Sequence, residues 1–381
     1  MAHEKGGDFI NILLLTDNMD TGGAETHIAM LAEGLMRRGF GVAVFSSGGK
    51  LADRLEAEGI AQYRFPPIGH SLTRLLIARQ EVKLLVNDQK YSILHAHARI
   101  PALLLRGCRK WNHAPAPAVT VHAAFRSSAP FSRFSYWGER TIAVSEDLRA
   151  LVCDRFRVPA ETVTVIPNGI DCSLFSPPDT ETPPHTVLFA SRLDNDCSRG
   201  AFLICELAAS LAARHPDLRI TIAGGGNASS ELRKKAERIN TLWKSHPSNH
   251  TPDIPLIRLT GAVTDMPSLY RSHRIFVGVS RAALEAAACG CAVILCGNEG
   301  YGGILSPDSP APSLSNFCCR GLAPATDVSL LSDLSSLLDS DFFSRTVSAA
   351  SFAWITQYFS AEQMIDQTAA FYRKMATDQL C

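Results

Sequence analysis

The sequence predicts an α/β protein of two doubly wound domains that face a cleft. Short apolar runs alternate with helical patterns in two successive series along the chain, which is the order typical of parallel sheets. A chain of 381 residues with 46% hydrophobic and 19% charged residues is long enough for two cores. A segment rich in proline and polar residues, 176–186, separates the two series, so we expect the interdomain linker there.

Composition argues against several classes of partner and location. Lys plus Arg and Asp plus Glu are equal at 37 each, so no net charge attracts nucleic acid or an acidic membrane, and any anionic ligand must be held locally. The first long apolar run, 9–15, is too short to cross a bilayer, and we expect neither a signal peptide nor a membrane-spanning helix. The eleven cysteines lack zinc-site spacing, so we expect them to be reduced and mostly buried in a cytoplasmic protein.

The first series begins with a predicted strand at 11–16 and a loop that leads into a helix ending near Arg37. Gly22 and Gly23 precede the N-terminus of this helix, where bare backbone N–H groups can bind a phosphate. A tight turn that requires positive φ is the alternative explanation of the glycine pair. Further strands are predicted at 42–45, 92–97, 118–122 and 142–145, and a strand with a Pro-Asn-Gly turn at 163–171.

Histidines close two of these predicted strands. His122 ends one of them, where its side chain can reach a ligand hydroxyl, and a purely structural role is the alternative. His95 and His97 share a face of another strand and could imitate a pair of metal ligands. No third ligand is spaced in the sequence to join them, so we expect no metal site there.

The second series contains the stretch around which the second domain is expected to form, 276–300. It predicts a strand at 276–279, a helix at 281–288 that stops at Gly290, and a buried strand at 292–295. Earlier in this series, strands are predicted at 186–190, 219–223 and 257–260, and a helix at 202–211. These patterns predict an N-terminal domain over residues 1–175 and a C-terminal domain over residues 186–354.

Glu285 is the only ionised side chain between positions 282 and 298. A carboxylate in such apolar company must be solvated by some partner. One interpretation is that Glu285 caps its own helix or complements the helix dipole. The other is that it lies at the carboxyl end of a strand, where ligands bind in open α/β sheets, and accepts hydrogen bonds from sugar or ribose hydroxyls.

The ordered series GGAETH, HAHARIPA, TVH, IAVSEDL, VIPNGID, ASRLD and ALEAAACGCAVI resembles the family 4 glycosyltransferases, over about residues 11–303. The resemblance implies retaining enzymes of GT-B fold, with two Rossmann-like domains. It implies a nucleotide diphosphate sugar donor bound mainly by the C-terminal domain and an acceptor bound mainly by the N-terminal domain. It also implies that residues 355–381 cross back onto the first domain, and that neither a metal nor another cofactor is required.

The resemblance assigns roles to individual residues of this chain. Gly22 and Gly23 match the glycine loop beside the donor diphosphate, and His122 matches the histidine near the donor sugar. Arg192 in ASRLD matches the arginine that grips the phosphates, and Glu285 matches the glutamate that holds the nucleotide ribose. Fixed cations and N–H dipoles would accelerate departure of the diphosphate, because it gains negative charge as the glycosidic bond breaks.

The chain also departs from the family pattern at two places. Cys197 stands where a lysine is usual, and Arg199 is the candidate replacement among the phosphate-binding residues. The first of two family glutamates is missing, because the loop before position 282 is short and offers Ser280 and Arg281 instead. Arg281 adds a cation to the donor site, so the sequence predicts a short-loop variant with altered sugar contacts.

The favoured function is metal-independent transfer of a hexose-type sugar to a lipid-linked or cell-envelope glycan, with retention. Such an enzyme would be cytoplasmic, with peripheral contact to the inner face of the membrane through its N-terminal domain. The missing lysine and glutamate motivate an alternative, a catalytically silent nucleotide-sugar-binding protein or a partner subunit of an active transferase. A more remote alternative is a GT-B sugar epimerase.

Overall fold

The structure, a computed structural model, describes residues 10–20, 22–69, 71–124, 135–309 and 311–380. The chain forms two compact units. The first comprises Met1–Gly169 and Ala361–Cys381, and the second comprises Ile170–Ser360.

A parallel sheet of seven strands forms the centre of the first unit, in the order β3-β2-β1-β4-β5-β6-β7. The strands are β1 (Asn11–Leu15), β2 (Gly41–Ser46), β3 (Ala61–Arg64), β4 (Ile93–Ala96), β5 (Ala116–Val121), β6 (Arg140–Ala143) and β7 (Val163–Val165). The chain moves from β1 outward to β3 and then continues on the other side of β1 with β4. The carboxyl ends of β1 and β4 therefore flank a topological switch point, the place where such sheets bind ligands.

Both faces of this sheet are covered. Ile12 and Leu14 pack into one apolar core and Leu13 and Leu15 into another, since successive side chains of a strand point to opposite faces. This double burial explains the continuous apolar run of β1. The helices of the unit are α1 (Gly23–Arg37), α2 (Lys50–Ala57), α3 (Leu72–Gln89), α4 (Arg99–Leu104), α5 (Glu146–Phe156) and the last helix of the chain, α12 (Ala361–Leu380).

The last helix, α12, packs on α1 in the core of the first unit. Ile365 and Tyr372 are buried in that core. The two helices approach so closely at Gly34 that a Cβ there would meet Ile365 Cδ1 at 2.3 Å. Arg38, which directly follows α1, pairs with Asp366 at 2.7 Å. The expected return of the final helix to the first unit is confirmed.

A six-stranded sheet forms the centre of the second unit, in the order β10-β9-β8-β11-β12-β13. Its strands are β8 (Thr186–Ala190), β9 (Arg219–Ala223), β10 (Ile257–Gly261), β11 (Ile275–Gly278), β12 (Ala292–Cys296) and β13 (Tyr301–Ile304). All neighbours pair in parallel except β12 and β13, which are antiparallel. The switch point of this sheet lies between β8 and β11, because β8 leads to β9 on one side and β11 leads to β12 on the other.

The second sheet is also covered on both faces. Phe189 packs into one core and Leu188 into the other. The stretch 276–300 folds as the sequence predicts: β11, then a helix from Ser280 to Ala288, then β12. The helices of the unit are α6 (Arg199–Arg214), α7 (Ser229–Lys244), α8 (Met266–Arg271), α9 (Ser280–Ala288), α10 (Asp327–Asp339) and α11 (Asp341–Tyr358).

The two units divide at other residues than the sequence suggests. The expected linker, 176–186, is bound to the second unit: Arg271 Nε donates to the Ser176 carbonyl at 2.8 Å, and Thr182 Oγ1 donates to the Arg271 carbonyl at 3.0 Å. The division falls between Gly169 and Ile170 instead. Proline-rich composition predicts lack of regular structure correctly, but it does not tell a free linker from a segment held by side chains of a helix.

Candidate functional site

The carboxyl edge of the second sheet carries the residues assigned to the donor. The loop 191–198 follows β8 and contains Arg192, and α9 follows β11 and contains Arg281 and Glu285. These segments flank the switch point between β8 and β11. In open α/β sheets, ligands bind outside the carboxyl ends of the strands at this point.

A glycine loop after β9, 224–226, supports the loop that carries Arg192. A Cβ on Gly224 would lie 1.8 Å from the Ser191 oxygen, and a Cβ on Gly226 would lie 2.4 Å from the Leu193 carbonyl carbon. Only glycine permits this approach of two backbones. The two loops are joined further by the Asn227 N–H, which donates to Asp194 Oδ1 at 3.0 Å. The role of this loop was not predicted from the sequence, although three consecutive glycines after a strand are its signal.

Arg192 is the exposed cation of this edge, with 70% of its side chain accessible. Its guanidinium lies 3.2 Å from Asp194 Oδ2 and 3.4 Å from the Cys197 sulfur. The exposed ion pair contributes little stability and is easily exchanged for another anion. Arg192 can therefore turn its fork of N–H donors to a phosphate group, for which that geometry is suited.

Arg199 has a different environment. It begins α6, and its guanidinium donates through Nε to the Ala325 carbonyl at 3.0 Å, with a second contact from Nη2 to the same oxygen. Its backbone N–H donates to Asn298 Oδ1 at 3.0 Å. The predicted role of Arg199 in place of the family lysine would require the side chain to leave the Ala325 carbonyl.

Glu285 is not a lone carboxylate. Arg281 Nε donates to its Oε1 at 2.7 Å, and the hydroxyl of Tyr270 donates to its Oε2 at 3.1 Å. Burial, with the neighbouring Glu285 carboxylate second, holds the pKa of Tyr270 well above its ordinary value, so this hydroxyl stays a donor. The carboxylate thus binds the side chains of Arg281 and Tyr270 and, within the described helix 280–288, caps no backbone N–H. A carboxylate offers about four lone-pair sites, so Glu285 can still accept from a ribose hydroxyl.

Ser280, at the start of α9, has a left-handed backbone. Its φ is 58°, which costs energy for a residue with a Cβ, and its N–H donates to the Phe317 carbonyl at 2.8 Å. Backbone strain of this kind clusters at functional sites. The short loop therefore places Ser280 and Arg281 at the edge of the sheet, where the family pattern has its first glutamate.

In the first unit, Gly22 and Gly23 lie at the N-terminus of α1, beside the switch point of that sheet. Gly22 has an extended backbone with φ of 178°, so the turn that requires positive φ is not its explanation. A Cβ on Gly22 would meet Glu25 Oε2 at 2.1 Å, because the Glu25 carboxylate folds back over the helix start. A phosphate at this terminus would have to displace the Glu25 side chain, which is flexible.

His122 belongs to a cluster of histidines at the same edge of the first sheet. Its Nε2 lies 3.0 Å from Nδ1 of His97, and its ring meets that of His27 at a centroid distance of 4.8 Å. One ring nitrogen from each of His27, His97 and His122 lies within 4.8 Å of the others. The sequence pairs His97 with His95, whereas the structure groups His97 with His122 and with His27, which reaches it from α1. The motif GGAETH contains this histidine, but spacing along the chain does not show that the two segments meet.

His95, in contrast, points into the core of the first unit. Its Nδ1 is hydrogen-bonded to the hydroxyl of Tyr372 on α12, and its Nε2 lies 2.8 Å from Thr120 Oγ1. Burial lowers the pKa of His95 to about 3 and that of His122 to about 4, and it holds the pKa of His97 well below its usual range. Neighbouring histidines lower the pKa of His95 and His97 further. These imidazoles are therefore neutral at neutral pH.

Comparison with known proteins agrees with the fold. Residues 21–174 match the model of Glycosyltransferase Family 4, and residues 184–316 match that of Glycosyl transferases group 1. The crystal structure of a glycosyltransferase from Rickettsia africae superposes with a TM-score of 0.75 at 16% identity, covering 97% of this chain and 99% of that one. HepE from Anabaena, solved in complex with UDP and glucose, superposes with a TM-score of 0.69 at 18% identity, covering 96% and 99%. The two Rossmann-like units thus have the GT-B fold, and the two matched family models indicate a glycosyltransferase.

Two curated proteins are similar to this chain in sequence. A phosphatidyl-myo-inositol mannosyltransferase from Mycolicibacterium smegmatis is 30% identical over 56% of this chain and 58% of its own length. A human phosphatidylinositol N-acetylglucosaminyltransferase component is 24% identical over 83% of this chain and 68% of its own length. This chain therefore spans less than two thirds of the first of these relatives. With both family models matched in order, the chain belongs to the family 4 glycosyltransferases.

Among the helices that the structure describes, none is both long enough and apolar enough to cross a membrane.

Proposed function

We propose that this protein is a retaining, metal-independent glycosyltransferase of the hexosyl type. It takes a sugar from a nucleotide diphosphate sugar and transfers it to a lipid-linked or cell-envelope glycan acceptor. The observation that carries the proposal is the carboxyl edge of the second sheet, where an exposed arginine and a held carboxylate flank the switch point. Family membership supports the reaction class, and the UDP and glucose complex of HepE supports a nucleotide sugar as donor.

Each candidate site residue, in either unit, has a task in the proposed reaction. Arg192 binds the diphosphate and compensates the charge that develops on it as the sugar leaves. Glu285, oriented by Arg281 and Tyr270, accepts hydrogen bonds from the ribose. Residues Gly22 and Gly23 offer N–H donors to the diphosphate, and His122 contacts the donor sugar as a neutral imidazole. The leaving phosphate takes the acceptor proton, so no side chain is needed as the base.

A panel of nucleotide sugars tests the donor first. A ligand at a hundred times its dissociation constant should stabilise the folded protein by about 2.7 kcal/mol. The donor found in this way is then incubated with a lipid extract, and the anomeric configuration of the product is read by NMR. Retention and undiminished activity in EDTA support the proposal. An inverted product, or activity that EDTA abolishes and magnesium or manganese restores, contradicts it.

The acceptor side of the proposal includes a lipid surface. Helix α3 in the first unit exposes Leu72, Leu76 and Leu84 with 75%, 66% and 51% of each residue accessible. Arg74 lies exposed among them and can contact anionic head groups. The names of both relatives refer to phosphatidylinositol, which agrees with a lipid acceptor.

Vesicle sedimentation tests this membrane contact. Wild-type protein should bind vesicles that contain phosphatidylinositol, and Leu76→Glu should bind them less, because a carboxylate enters the interface poorly. Leu242→Glu is the matched control, since Leu242 is 67% exposed on α7 of the second unit. Equal binding of both variants would contradict contact through α3.

A second candidate function is a nucleotide-sugar-binding protein without turnover, or a partner subunit of an active transferase. It is favoured by Cys197 in the place of the family lysine and by the attachment of Arg199 to the Ala325 carbonyl. Donor hydrolysis without acceptor separates the two candidates. An enzyme should release free sugar slowly, whereas a binding protein should bind the donor saturably and leave it intact.

A further inference from the structure

Three histidines from separate segments of the first unit meet at one point. His27 lies on α1, His97 directly follows β4, and His122 directly follows β5. One ring nitrogen of each lies within 4.8 Å of the others, and the His97 and His122 nitrogens are 3.0 Å apart. Nitrogens bound to one tetrahedral zinc ion lie about 3.3 Å apart, given zinc–nitrogen distances of about 2.0–2.1 Å. Small rotations of the rings are therefore enough to bring all three to one ion.

The His97 ring also carries a buried nitrogen that calls for a partner. His97 is only 4% exposed, and within the part of the chain that the structure describes its Nε2 has no hydrogen-bond partner. Buried polar atoms in native proteins are normally satisfied, and an exception calls for a bound ion, water or other ligand. Nε2 lies across the ring from Nδ1, and it is Nδ1 that faces His122.

We propose that His27, His97 and His122 form a binding site for a first-row transition metal, with Zn²⁺ as its best-fitting ion. Three imidazoles are a donor set that zinc, copper, nickel and cobalt accept and that magnesium and calcium do not favour. His122 is partly exposed, so the ion enters from its side, and a water completes four-coordination there. All three histidines belong to the first unit.

His95 supports the site without joining it. Its ring lies 4.2 Å from that of His97, and both of its nitrogens are engaged, by Tyr372 and Thr120. The fixed His95 ring therefore restricts the orientation of the His97 ring. Groups that orient the ligand rings in this way raise metal affinity.

The metal site has a consequence for the proposed reaction, and this consequence rests on the proposed function. His122 would contact the donor sugar. An ion bound to one of its ring nitrogens fixes the orientation of the ring and leaves only the other nitrogen for a hydrogen bond to the sugar. We therefore expect zinc to inhibit transfer, because the ring can no longer turn toward the sugar.

Zinc titration by calorimetry, with the full chain, tests the site independently of any activity. The wild type should bind one Zn²⁺ at this site, and His27→Gln should bind it more weakly by at least the ten- to hundredfold that loss of an outer-shell partner costs. His250→Gln, which changes an exposed histidine of the second unit, should bind zinc like the wild type. Melting curves check that each variant is folded. Zinc binding by His27→Gln that equals that of the wild type would overturn the proposal.

X-ray absorption on the zinc-loaded wild type gives a measurement that needs no variant. It should show three imidazole ligands at about 2.0–2.1 Å, and a first shell with fewer imidazoles would overturn the proposal. Inhibition is tested separately, as the ratio of activity with and without zinc in the wild type and in His27→Gln. Zinc binding without inhibition would leave the site standing and contradict the role of His122 at the donor sugar.

Discussion

Two side chains hold the Glu285 carboxylate in position, so replacing Glu285 should affect the stability of the fold as well as ligand binding. Arg281 reaches it from one helical turn earlier on α9, and Tyr270 reaches it from α8. The sequence presents Glu285 as the one charge in an apolar stretch, because neither the fold of α8 against α9 nor the direction of Arg281 is visible in it. The structure shows an acid already bound at both oxygens and still able to accept further donors.

Replacement of Glu285 by alanine should weaken binding of a nucleoside diphosphate about ten- to a hundredfold, because charged hydrogen bonds contribute roughly 1.5–3 kcal/mol. Stability should fall as well, by ~1–3 kcal/mol, since the Tyr270 hydroxyl and Arg281 lose their partner. Calorimetric titration and melting of the same variant measure both quantities.

Tyr270→Phe is the matched control for this prediction. It removes the contact to Oε2 but keeps the carboxylate, so it should lower stability and leave nucleotide affinity within a few-fold of the wild type. If Glu285→Ala binds the nucleotide as the wild type does, the ribose role is wrong and the carboxylate serves only to hold α8 and α9 together.

The buried histidines of the first unit predict a pH dependence of stability. Above about pH 6.5 they are neutral in both the folded and the unfolded chain, so they cost nothing. Below that pH these histidines become protonated in the unfolded chain. In the folded chain His122 stays neutral down to its pKa of about 4, and His95 stays neutral down to its pKa of about 3. Stability should therefore fall as pH drops below about 6.5, by ~1.4 kcal/mol per pH unit for each histidine that stays neutral.

Melting temperatures of the wild type and of His122→Gln, taken from about pH 7.5 to 5, measure this effect. The difference between the two profiles cancels most other titrating groups, including Asp17 and Glu33, whose pKa values burial raises. The variant should lose less stability on acidification. His250→Gln should follow the wild type, and parallel profiles for wild type and His122→Gln would show that His122 takes up its proton normally in the folded state.

At the scale of elements, the glycine loop 224–226 determines how closely β8 and β9 can end side by side. The loop after β9 supplies the Gly225 carbonyl to the Leu193 N–H at 2.9 Å, and Leu193 returns its carbonyl to the Ala228 N–H at 2.8 Å. These two backbone hydrogen bonds, one in each direction between the loops, hold the turn that carries Arg192. The precision of the donor edge thus depends on residues that have no functional side chain.

Gly226→Ala should lower stability by about 1–3 kcal/mol, the usual effect of overpacking, because its Cβ would lie 2.4 Å from the Leu193 carbonyl carbon. Donor affinity should fall with it, since the loop that carries Arg192 must shift. Gly225→Ala is a close control: its Cβ would meet no atom within 4 Å, so it should be neutral or slightly stabilising. Chemical denaturation compares the two, and equal midpoints would show that the loops do not depend on this contact.

At the scale of the whole molecule, the sequence predicts both sheets and the stretch from β11 to β12 because apolar runs and helix signals are local. Two edge strands are not predicted by the sequence. The residues of β13, Tyr301–Ile304, include two glycines and have little apolar period, and those of β3, Ala61–Arg64, form no apolar run. Arg199 donates to the Ala325 carbonyl, and His97 is hydrogen-bonded to His122; both pairs join segments far apart in the chain. Such pairs arise where parallel strands end together, and no local pattern records them.

The donor edge of the second sheet is central to the proposed function, and Arg192 tests it most directly. Arg192→Ala removes an exposed cation whose partners are acids of its own loop, so stability should hardly change. Arg199→Ala removes hydrogen bonds to the Ala325 carbonyl, so it should chiefly lower the melting temperature. Arg238→Ala, at an exposed site on α7, controls for the loss of one charge.

The decisive measurement is the dissociation constant of the donor nucleotide diphosphate sugar for these three variants and the wild type, by titration calorimetry. We predict that Arg192→Ala binds the donor at least about tenfold more weakly, a loss of ~1.4 kcal/mol or more. Folded Arg199→Ala and Arg238→Ala should bind within a few-fold of the wild type. Wild-type affinity in Arg192→Ala, or a loss of affinity in Arg199→Ala alone, would contradict the assignment of the phosphate site.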